Sequence, residues 1–475
     1  MDRQELKHIF TQQLPFDPTR DQQEAIHHIA AFELSTRENP VYILRGYAGT
    51  GKTSLMSAYV RVRKKTGKKF VLLAPTGRAA KILAAYTGEK AYTLHRQIYQ
   101  FTIGSGDTGR ISLAPNVYSN TVFIVDEASM IGEGGDGDSI FNRRSLLDDL
   151  ISYVFSKANN KLLLVGDTAQ LPPVGLNISP ALDLNYLKKG FPVTAFSFEM
   201  QQVKRQSLES GVLLHATDLR DRIRKNNTEL PFFQSGLFKG DIFRITNGYE
   251  LEELLIQNFS GKNLERGIVV CRTNKRANLF NQQIRGQILQ YENEIEGGDF
   301  LMVVKNNYYW LDENSKAGFI ANGDLVRLVR IVKTESMYGF PFADVEIELL
   351  DYPEEKEMTV KIILTTLTTD GPALSTGDHK KLMEAIEEDY MDIPERRKRL
   401  GKIAKNPWYN ALQVKFAYAM TCHKTQGGQW PAVFIDQGYL TDEMINKEYQ
   451  RWLYTALTRS TDKAFLVNFR EEFFD

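Results

Sequence analysis

The segment that most restricts the fold is GYAGTGKT at residues 46–53. It follows the apolar run VYIL at residues 41–44 and precedes a stretch that carries apolar residues at helical spacing, beginning at Leu55. A buried strand, a glycine-rich turn and a helix in this order are typical of a phosphate-binding loop, or P-loop. The segment therefore predicts an α/β fold that holds phosphate groups at the start of a helix.

Each residue type in this loop has a chemical role. Gly46, Gly49 and Gly51 let the backbone turn tightly, so that its N–H groups and the helix N-terminus face the β- and γ-phosphates of a nucleotide. Lys52 supplies a positive charge, and Thr53 supplies a hydroxyl for Mg²⁺. The predicted nucleotide-binding set also includes four neighbours, Tyr47, Ala48, Thr50 and Ser54.

An acidic pair at the end of another buried strand indicates hydrolysis in addition to phosphate binding. VFIVDEASM at residues 122–130 places two carboxylates directly after four apolar residues. We expect Asp126 to hold the Mg²⁺ shell together with Thr53, and Glu127 to orient and deprotonate the attacking water.

A third apolar run, KLLLV at residues 161–165, ends in GDTAQLPPVG. The strand ends of an open parallel sheet line one crevice, so Asp167 and Gln170 should lie beside the phosphates. Gln170 is a polar, uncharged group suited to sensing the γ-phosphate.

The second half of the chain repeats the α/β pattern after an interruption. GIVVC at residue 267, LQVKFAYAM at residue 412 and FLVNF at residue 465 are apolar runs of the kind that form a parallel sheet. Between them, residues 286–402 alternate apolar with polar positions and contain turn signals, which predicts a small antiparallel β-barrel. The charged tail of this region, residues 378–405, is more simply a solvated helix than a DNA-binding patch.

Composition limits the kind of site that this chain can carry. The 59 Lys and Arg residues balance the 59 Asp and Glu residues, so any nucleic-acid site must be local. Two cysteines, Cys271 and Cys422, are too few for a disulfide framework. No apolar stretch reaches the roughly 18 residues that a membrane span needs. We expect a soluble, cytoplasmic protein that does not bind membranes.

Taken in order, the motifs resemble those of superfamily 1 helicases, in the RecD-like and Dda-like branch that moves 5′ to 3′ on single-stranded DNA. Six further segments carry the resemblance: TRDQ at residue 19, APTGRAA at 74, TLHRQIY at 93, VKRQ at 203, AMTCHKTQGGQW at 419 and YTALTRS at 454. The resemblance implies an α/β fold with two RecA-like P-loop motor domains built on parallel sheets. It also implies a β-hairpin pin inserted in the first domain and a small β-barrel inserted in the second.

The resemblance also implies the domain limits and the ligands. The first motor domain is expected at residues 1–197, with the pin at about 97–118. The second is expected at residues 198–285 and 403–475, with the barrel at 286–402. ATP and Mg²⁺ are the implied cofactors, and the implied partners are single-stranded DNA and single/double-strand junctions, bound by a monomeric motor.

Further site residues are assigned by the resemblance alone. Gln22 is expected to read the adenine edge, and Arg205 and Arg459 to reach the transferring phosphoryl group from the second domain. Gln429 stands where many relatives carry a glutamate, so the contact to the nucleotide sugar stays open. The residues implied to face the DNA strand are Pro75, Thr76, Arg78 and His95 in the first domain, and Asn274, Thr421 and His423 in the second.

A hairpin signature lies between the first DNA motif and the strand at residue 122. Two β-prone arms flank GSGDTG in residues 97–114. They resemble the pin that these helicases insert at a duplex junction, with Tyr99 and Phe101 as aromatics available to stack on a base. Burial of one arm against the domain is an equally good interpretation.

Two other functions share these motifs. An RNA helicase of superfamily 1 would carry the same ATP motifs, and nothing in the sequence reads a 2′-hydroxyl. A nucleotide-switched module that grips nucleic acid without moving is the third hypothesis. The late motifs argue against it, because a switch needs neither an arginine finger nor a second strand clamp.

Overall fold

The computed structural model describes residues 2–103, 109–132, 145–203, 210–234, 240–260, 264–311, 315 and 319–474, with the backbone alone at 101–103, 109–111 and 264. None of the helices within these ranges combines the length and apolar character that a membrane crossing requires.

The first domain is built on a parallel sheet. The described part of this domain contains the strands β1 (Pro40–Gly46), β2 (Lys69–Ala74), β3 (Ala91–Thr93), β4 (Tyr99–Ile103), β5 (Gly109–Leu113), β6 (Thr121–Val125), β7 (Lys161–Gly166) and β8 (Thr194–Met200). All but β4 and β5 form one sheet in the order β3-β2-β6-β7-β1-β8, and every neighbouring pair is parallel. β4 and β5 form the separate antiparallel hairpin that the sequence predicts.

Helices cover both faces of this sheet. Tyr42 and Leu44 of β1 point into one apolar core, whereas Val41 and Ile43 point into another on the opposite face. Burial on both faces explains why these strands are continuous apolar runs. The helices are α1 (Arg3–Gln12), α2 (Arg20–Leu34), α3 (Lys52–Lys65), α4 (Gly77–Thr87), α5 (Leu94–Ile98), α6 (Leu146–Phe155) and α7 (Leu184–Gly190).

The second domain has a five-stranded parallel sheet. Its strands are β9 (Ile242–Arg244), β10 (Gly267–Cys271), β16 (Ala419–Thr421), β17 (Trp430–Asp436) and β18 (Ser460–Val467), in the order β16-β10-β17-β18-β9. The helices of this domain are α8 (Gly211–Lys225), α9 (Gly248–Phe259), α10 (Asn274–Gln283), α14 (Cys422–Thr425) and α15 (Lys447–Leu457). A π-helical turn, Ile284–Ile288, extends α10.

A closed five-stranded barrel is inserted between β10 and β16. It contains β11 (Phe300–Val303), β12 (Leu325–Met337), β13 (Phe340–Leu349), β14 (Met358–Ile363) and β15 (Leu412–Phe416). Three helices lie between β14 and β15, namely α11 (Thr365–Thr368), α12 (Thr376–Glu388) and α13 (Arg396–Ala404). The last two occupy the charged tail that we interpreted as helical.

The assignment of LQVKFAYAM to the second parallel sheet is wrong for its first half. Residues 412–416 form β15, which pairs antiparallel with β11 and parallel with β14 and so closes the barrel. Only residues 419–421 join the second sheet. A fully buried barrel strand and a fully buried parallel strand are both uninterrupted apolar runs, so the sequence pattern does not distinguish them.

A buried ion pair fixes the point where the chain enters and leaves the barrel. The Arg285 guanidinium donates two hydrogen bonds to the Asp299 carboxylate, each 2.8 Å, and the Tyr418 hydroxyl donates a third at 3.0 Å. Asp299 lies just before β11, and Tyr418 lies between β15 and β16. Burial raises the pKa of Asp299, and Arg285 counteracts that shift by stabilising the carboxylate.

We predict that Arg285→Ala lowers the free energy of unfolding by about 3–5 kcal/mol, because it leaves a buried carboxylate without its cation. Urea unfolding of the whole chain measures the loss. Lys380→Ala is the control, since its partner Glu384 and the lysine are 56% and 71% exposed, and it should cost under about 0.5 kcal/mol. Equal stability of the two variants would contradict the assignment of Arg285 as a structural anchor.

Candidate nucleotide and nucleic-acid site

The P-loop connects β1 to α3 and leaves the start of that helix open. Gly51 is the N-cap residue, its φ is +89°, and no side chain caps the helix. Within the described ranges, each of the remaining α-helices of the first domain has a side-chain cap at its N-terminus. The first N–H groups of α3 are therefore available to an anion, as a P-loop requires.

Lys52 lies over the P-loop. Its Nζ atom donates hydrogen bonds to the carbonyl oxygens of Gly46, at 2.6 Å, and Tyr47, at 3.0 Å. A Cβ at Gly46 would lie 2.9 Å from Thr50 Oγ1 and 3.2 Å from Lys52 Cγ. The absence of a side chain at position 46 thus permits the lysine to fold across the loop.

Gln22 supports the P-loop from outside. Its side chain is 1% exposed, and its Nε2 atom donates to the Thr50 carbonyl at 3.0 Å. Its Oε1 atom accepts from the Thr19 N–H in a capping box at the start of α2. Both amide atoms therefore have protein partners, which gives Gln22 a structural role in addition to the adenine contact implied by resemblance.

The acidic pair lies at the end of β6. Asp126 Oδ1 accepts from the Glu127 N–H at 2.9 Å, and Asp126 Oδ2 accepts from the Tyr86 hydroxyl on α4. Glu127 has a φ of +51°, a left-handed conformation that is strained for a residue with a side chain. This backbone turn directs the two consecutive carboxylates differently.

Four charged groups act electrostatically on the Glu127 carboxylate. Burial is the main cause of its raised pKa, and the negative charges of Asp126 and Asp167 raise that pKa further. Arg459 and Lys52 oppose the shift. Arg459, 3% exposed, comes from the second domain, whereas the other groups belong to the first. Arg205, the other candidate arginine, lies outside the described residues.

Gln170 and Asp167 lie in the same cleft, and their predicted place beside the phosphates stays a prediction. Both line a small cleft that also includes Ser129 and Arg451. Gln170 is 7% exposed, and its Oε1 atom makes no hydrogen bond within the described part of the chain. A buried acceptor without a partner is costly unless it meets a ligand or water, which fits a sensor of bound nucleotide or attacking water.

The donor set fits a magnesium nucleotide. Asp126 offers a carboxylate, and Thr53 an exposed hydroxyl at the start of α3; these are the hard oxygen ligands that Mg²⁺ prefers. No cluster of three or more His, Cys, Asp or Glu side chains suited to a metal occurs among the described residues. A magnesium ion bound through one or two protein oxygens and nucleotide phosphates does not need such a cluster.

The DNA-motif residues of the first domain lie against the second domain. Thr76, which follows Pro75, caps α4 by accepting from the Ala79 N–H at 3.2 Å. The Arg78 guanidinium lies 3.9 Å from the Trp430 ring centroid and donates to the Gln429 carbonyl at 3.1 Å. Arg78 therefore bridges the two domains, which its resemblance to a DNA contact did not reveal.

The second-domain residues divide into two places. Asn274 and Thr421 line one cleft at the border with the barrel, together with Lys415. Burial lowers the pKa of Lys415 to about 8. His423 instead faces the first domain, where its ring approaches the Pro172 backbone. The structure thus brings Asn274 and Thr421 together, and His423 lies nearer to the loop after β7.

His95 and Tyr99 lie at the base of the hairpin. The His95 ring lies 5.6 Å from the Tyr99 ring and 6.3 Å from Phe319 of the barrel region. The Tyr99 hydroxyl donates to Asp149 at 2.8 Å, and the ring packs against the first-domain core. Tyr99 thereby anchors the hairpin. The side chain of Phe101 and the hairpin tip, residues 104–108, lie outside the described part.

Comparison with known proteins gives two family matches. An AAA domain matches residues 18–210, and a UvrD-like helicase C-terminal domain matches residues 416–467. The ATP-dependent DNA helicase dda of Enterobacteria phage T4 is 25% identical over 96% of this chain and 100% of its own length. The chain is thus similar to superfamily 1 helicases.

Two further proteins are similar over most of this chain. The ATP-dependent RecD2 DNA helicase of Deinococcus radiodurans is 24% identical over 89% of this chain, but the match spans 46% of the Deinococcus protein. A Pif1 helicase from Bacteroides, solved with ADP-AlF3 and ssDNA, is 15% identical, with 96% of this chain and 93% of that chain covered and a TM-score of 0.48.

Sequence reasoning missed the residues that join the two domains. The Leu171 backbone, in the loop after β7, is bonded on both sides by the second domain. Its N–H donates to Thr455 Oγ1 at 2.8 Å, and its carbonyl accepts from Gln426 Nε2 at 2.7 Å. Tyr454 also reaches the first domain. Thr455 and Tyr454 lie in YTALTRS and Gln426 in AMTCHKTQGGQW, so the motifs contained the signal and only the partners were unknown.

We predict that Gly51→Ala abolishes nucleotide binding, because position 51 combines a φ of +89° with a Cβ that would overlap the Gln22 amide. Gly67→Ala is the matched control. Gly67 lies just beyond the other end of α3 with a φ of +66° and no atom within 4 Å of its added Cβ. It should lose about 1 kcal/mol of stability and keep its nucleotide affinity. Fluorescent-nucleotide titration compares the two, and unchanged affinity in Gly51→Ala would refute the close fit.

Proposed function

We propose that this protein is an ATP-dependent DNA helicase that moves 5′ to 3′ along single-stranded DNA and unwinds duplexes. The observation that carries the proposal is that Arg459, from the second domain, acts electrostatically on Glu127 of the first, as Lys52 and Asp126 also do. The two domains are held together there by hydrogen bonds on both sides of the Leu171 backbone. A site shared by two domains couples nucleotide hydrolysis to their relative position, which is what a motor needs. All parts of one such site lie in a single chain, so we propose a monomeric motor.

The roles of the site residues follow from their positions. Lys52 and the N–H groups at the start of α3 bind the phosphates, while Glu127 accepts a proton from the attacking water. Burial and neighbouring carboxylates raise the pKa of Glu127, which makes it a stronger base. Arg459 neutralises charge on the transferring phosphoryl group. Magnesium, held by Asp126 and Thr53, would supply further charge neutralisation at the phosphates.

The DNA strand is proposed to lie along the border between the domains. Thr76 approaches Gly427 of the second domain, since a Cβ at Gly427 would lie 3.2 Å from Thr76 Oγ1. Asn274 and Thr421 line the cleft farther along, near Lys415. Polar contacts of this kind hold a strand by its phosphates without a strongly basic surface, which agrees with a net charge of zero.

We predict that the purified protein hydrolyses ATP much faster with single-stranded DNA than with RNA or without polymer. Glu127→Gln should bind nucleotide normally and lose at least about 100-fold in kcat, because it removes the base. Glu89→Gln, which changes a carboxylate paired with Lys64 at the surface of the same domain, is the control. Stimulation by RNA alone would support an RNA helicase, and nucleotide-dependent DNA binding without turnover would support a switch module.

The hairpin of β4 and β5 is proposed as the pin that splits base pairs. Its antiparallel register pairs Tyr99 with Leu113 and Ile103 with Gly109. Tyr99 and Leu113 both pack against the first-domain core, so the hairpin base is fixed. A rigidly attached hairpin is suited to block the complementary strand while the motor advances.

We predict that replacement of residues 101–111 by a short Gly-Ser turn separates unwinding from hydrolysis. Tyr99 and Leu113 are retained to preserve the anchors, and no ATP-site residue changes. ATP hydrolysis on single-stranded DNA should stay within twofold of the parent. Unwinding of a 5′-tailed duplex should fall at least about tenfold, because melting base pairs costs free energy and movement along one strand does not separate the pairs unless an element blocks the complementary strand.

Strand-displacement assays on 5′-tailed and 3′-tailed duplexes measure this loss and the polarity together. The parent protein should unwind only the 5′-tailed substrate. Undiminished unwinding by the shortened variant would show that the hairpin is not the pin, and a preference for the 3′ tail would overturn the proposed direction.

A further inference from the structure

Tyr454 of α15 contacts two groups of the first domain through one hydroxyl. The hydroxyl accepts a hydrogen bond from the Ala48 N–H at 2.8 Å and donates one to Asp167 Oδ2 at 2.6 Å. Tyr454 is 1% exposed, and Asp167 is 2% exposed. The contact therefore lies in the interface between the domains, where the tyrosine and the carboxylate are buried and Ala48 is half-buried.

The two partners are separate parts of the ATP site. Ala48 is the third residue of the P-loop, and Asp167 follows β7 and acts on the Glu127 carboxylate. Asp167 Oδ1 is bonded to the Ala169 N–H at 2.8 Å, so the carboxylate is held from both sides. One hydroxyl thus links the phosphate-binding loop, the loop after β7 and the second domain.

The same end of α15 carries Arg459. Thr458 Oγ1 donates to the Tyr454 carbonyl at 2.9 Å, and Arg459 Nε donates to the Thr455 carbonyl at 3.0 Å. Since these bonds fix the arginine to the last turn of the helix, the position of that turn sets the position of the guanidinium. Tyr454 is where the turn is attached to the first domain.

We propose that Tyr454 is a positioning residue that holds Arg459 in register with the ATP site. A hydroxyl suits this position because it can accept from the Ala48 N–H and donate to the Asp167 carboxylate at the same time. The hydrogen bond to a carboxylate is of the strong, charge-assisted kind. Removal of the hydroxyl takes away this partner of the Ala48 N–H and leaves the buried Asp167 Oδ2 without its donor, which favours separation of the helix end from the P-loop. This inference rests on the proposed function.

Tyr454→Phe tests the inference because it removes only the oxygen and keeps the ring. We expect kcat for DNA-stimulated ATP hydrolysis to fall about tenfold while KM for ATP changes less than twofold, since the arginine acts mainly in the transition state. Retained nucleotide affinity also shows that the variant is folded. Tyr449→Phe is the matched control, because that tyrosine is buried on the same helix and its hydroxyl accepts from Gln437 within the second domain, at 3.0 Å.

The double variant Tyr454→Phe with Arg459→Ala identifies the route of the effect. If Tyr454 acts by placing Arg459, its substitution should cost less than twofold in kcat once the arginine is gone. An equal tenfold loss in both backgrounds would overturn the inference. Parental kinetics in Tyr454→Phe or an equal loss in Tyr449→Phe would also overturn it. A lower KM with unchanged kcat in Tyr454→Phe would overturn it as well, because the hydroxyl would then compete with the nucleotide for the Ala48 N–H.

Failure of the proposed function can be distinguished from failure of this inference. If the parent hydrolyses no ATP with any polymer, the proposed function and this inference both fall. If the parent is active and Tyr454→Phe matches it, only the inference falls.

Discussion

The proposed catalytic site depends on the charge balance around one partly buried carboxylate. Glu127 lies among two other carboxylates, which raise its pKa, and two cations, which lower it. One of the cations, Arg459, belongs to the other domain, so the balance is complete only when the domains are in contact. The two domains are joined by hydrogen bonds to the P-loop and to the Leu171 backbone, and by apolar contacts of Tyr47 and Leu171 with the second-domain core.

The first DNA motif and the ATP site share one helix. α4 begins at the DNA motif, where Arg78 packs on Trp430 of the second domain, and its last turn carries Tyr86, whose hydroxyl is bonded to Asp126. Lys81, between them, donates to the Leu350 carbonyl of the barrel region at 2.8 Å. In the proposed motor, a displacement at the start of this eleven-residue helix would therefore be transmitted to Asp126, the proposed magnesium ligand.

Local chemistry explains which features the sequence predicts well. The P-loop, the acidic pair and Gln170 follow buried strands, and the strand ends of a parallel sheet must meet at one edge, so their grouping is predictable. The hairpin is equally predictable from its turn residues. Contacts between distant segments are different: Arg78 was assigned to DNA by resemblance, and only the folded chain shows Trp430 beneath it. β15 was misassigned because burial erases the alternation that distinguishes sheet types.

The barrel and the second parallel sheet share one apolar core. Val326 and Val414 of the barrel belong to the same cluster as Ile268 and Val433 of the sheet, and only residues 417–418 separate β15 from β16. Because the barrel and the second sheet share this core, their described residues are in direct apolar contact. In the proposed motor, the barrel would therefore move with the second domain as one body, and its outer end would travel farther than the cleft at each closure.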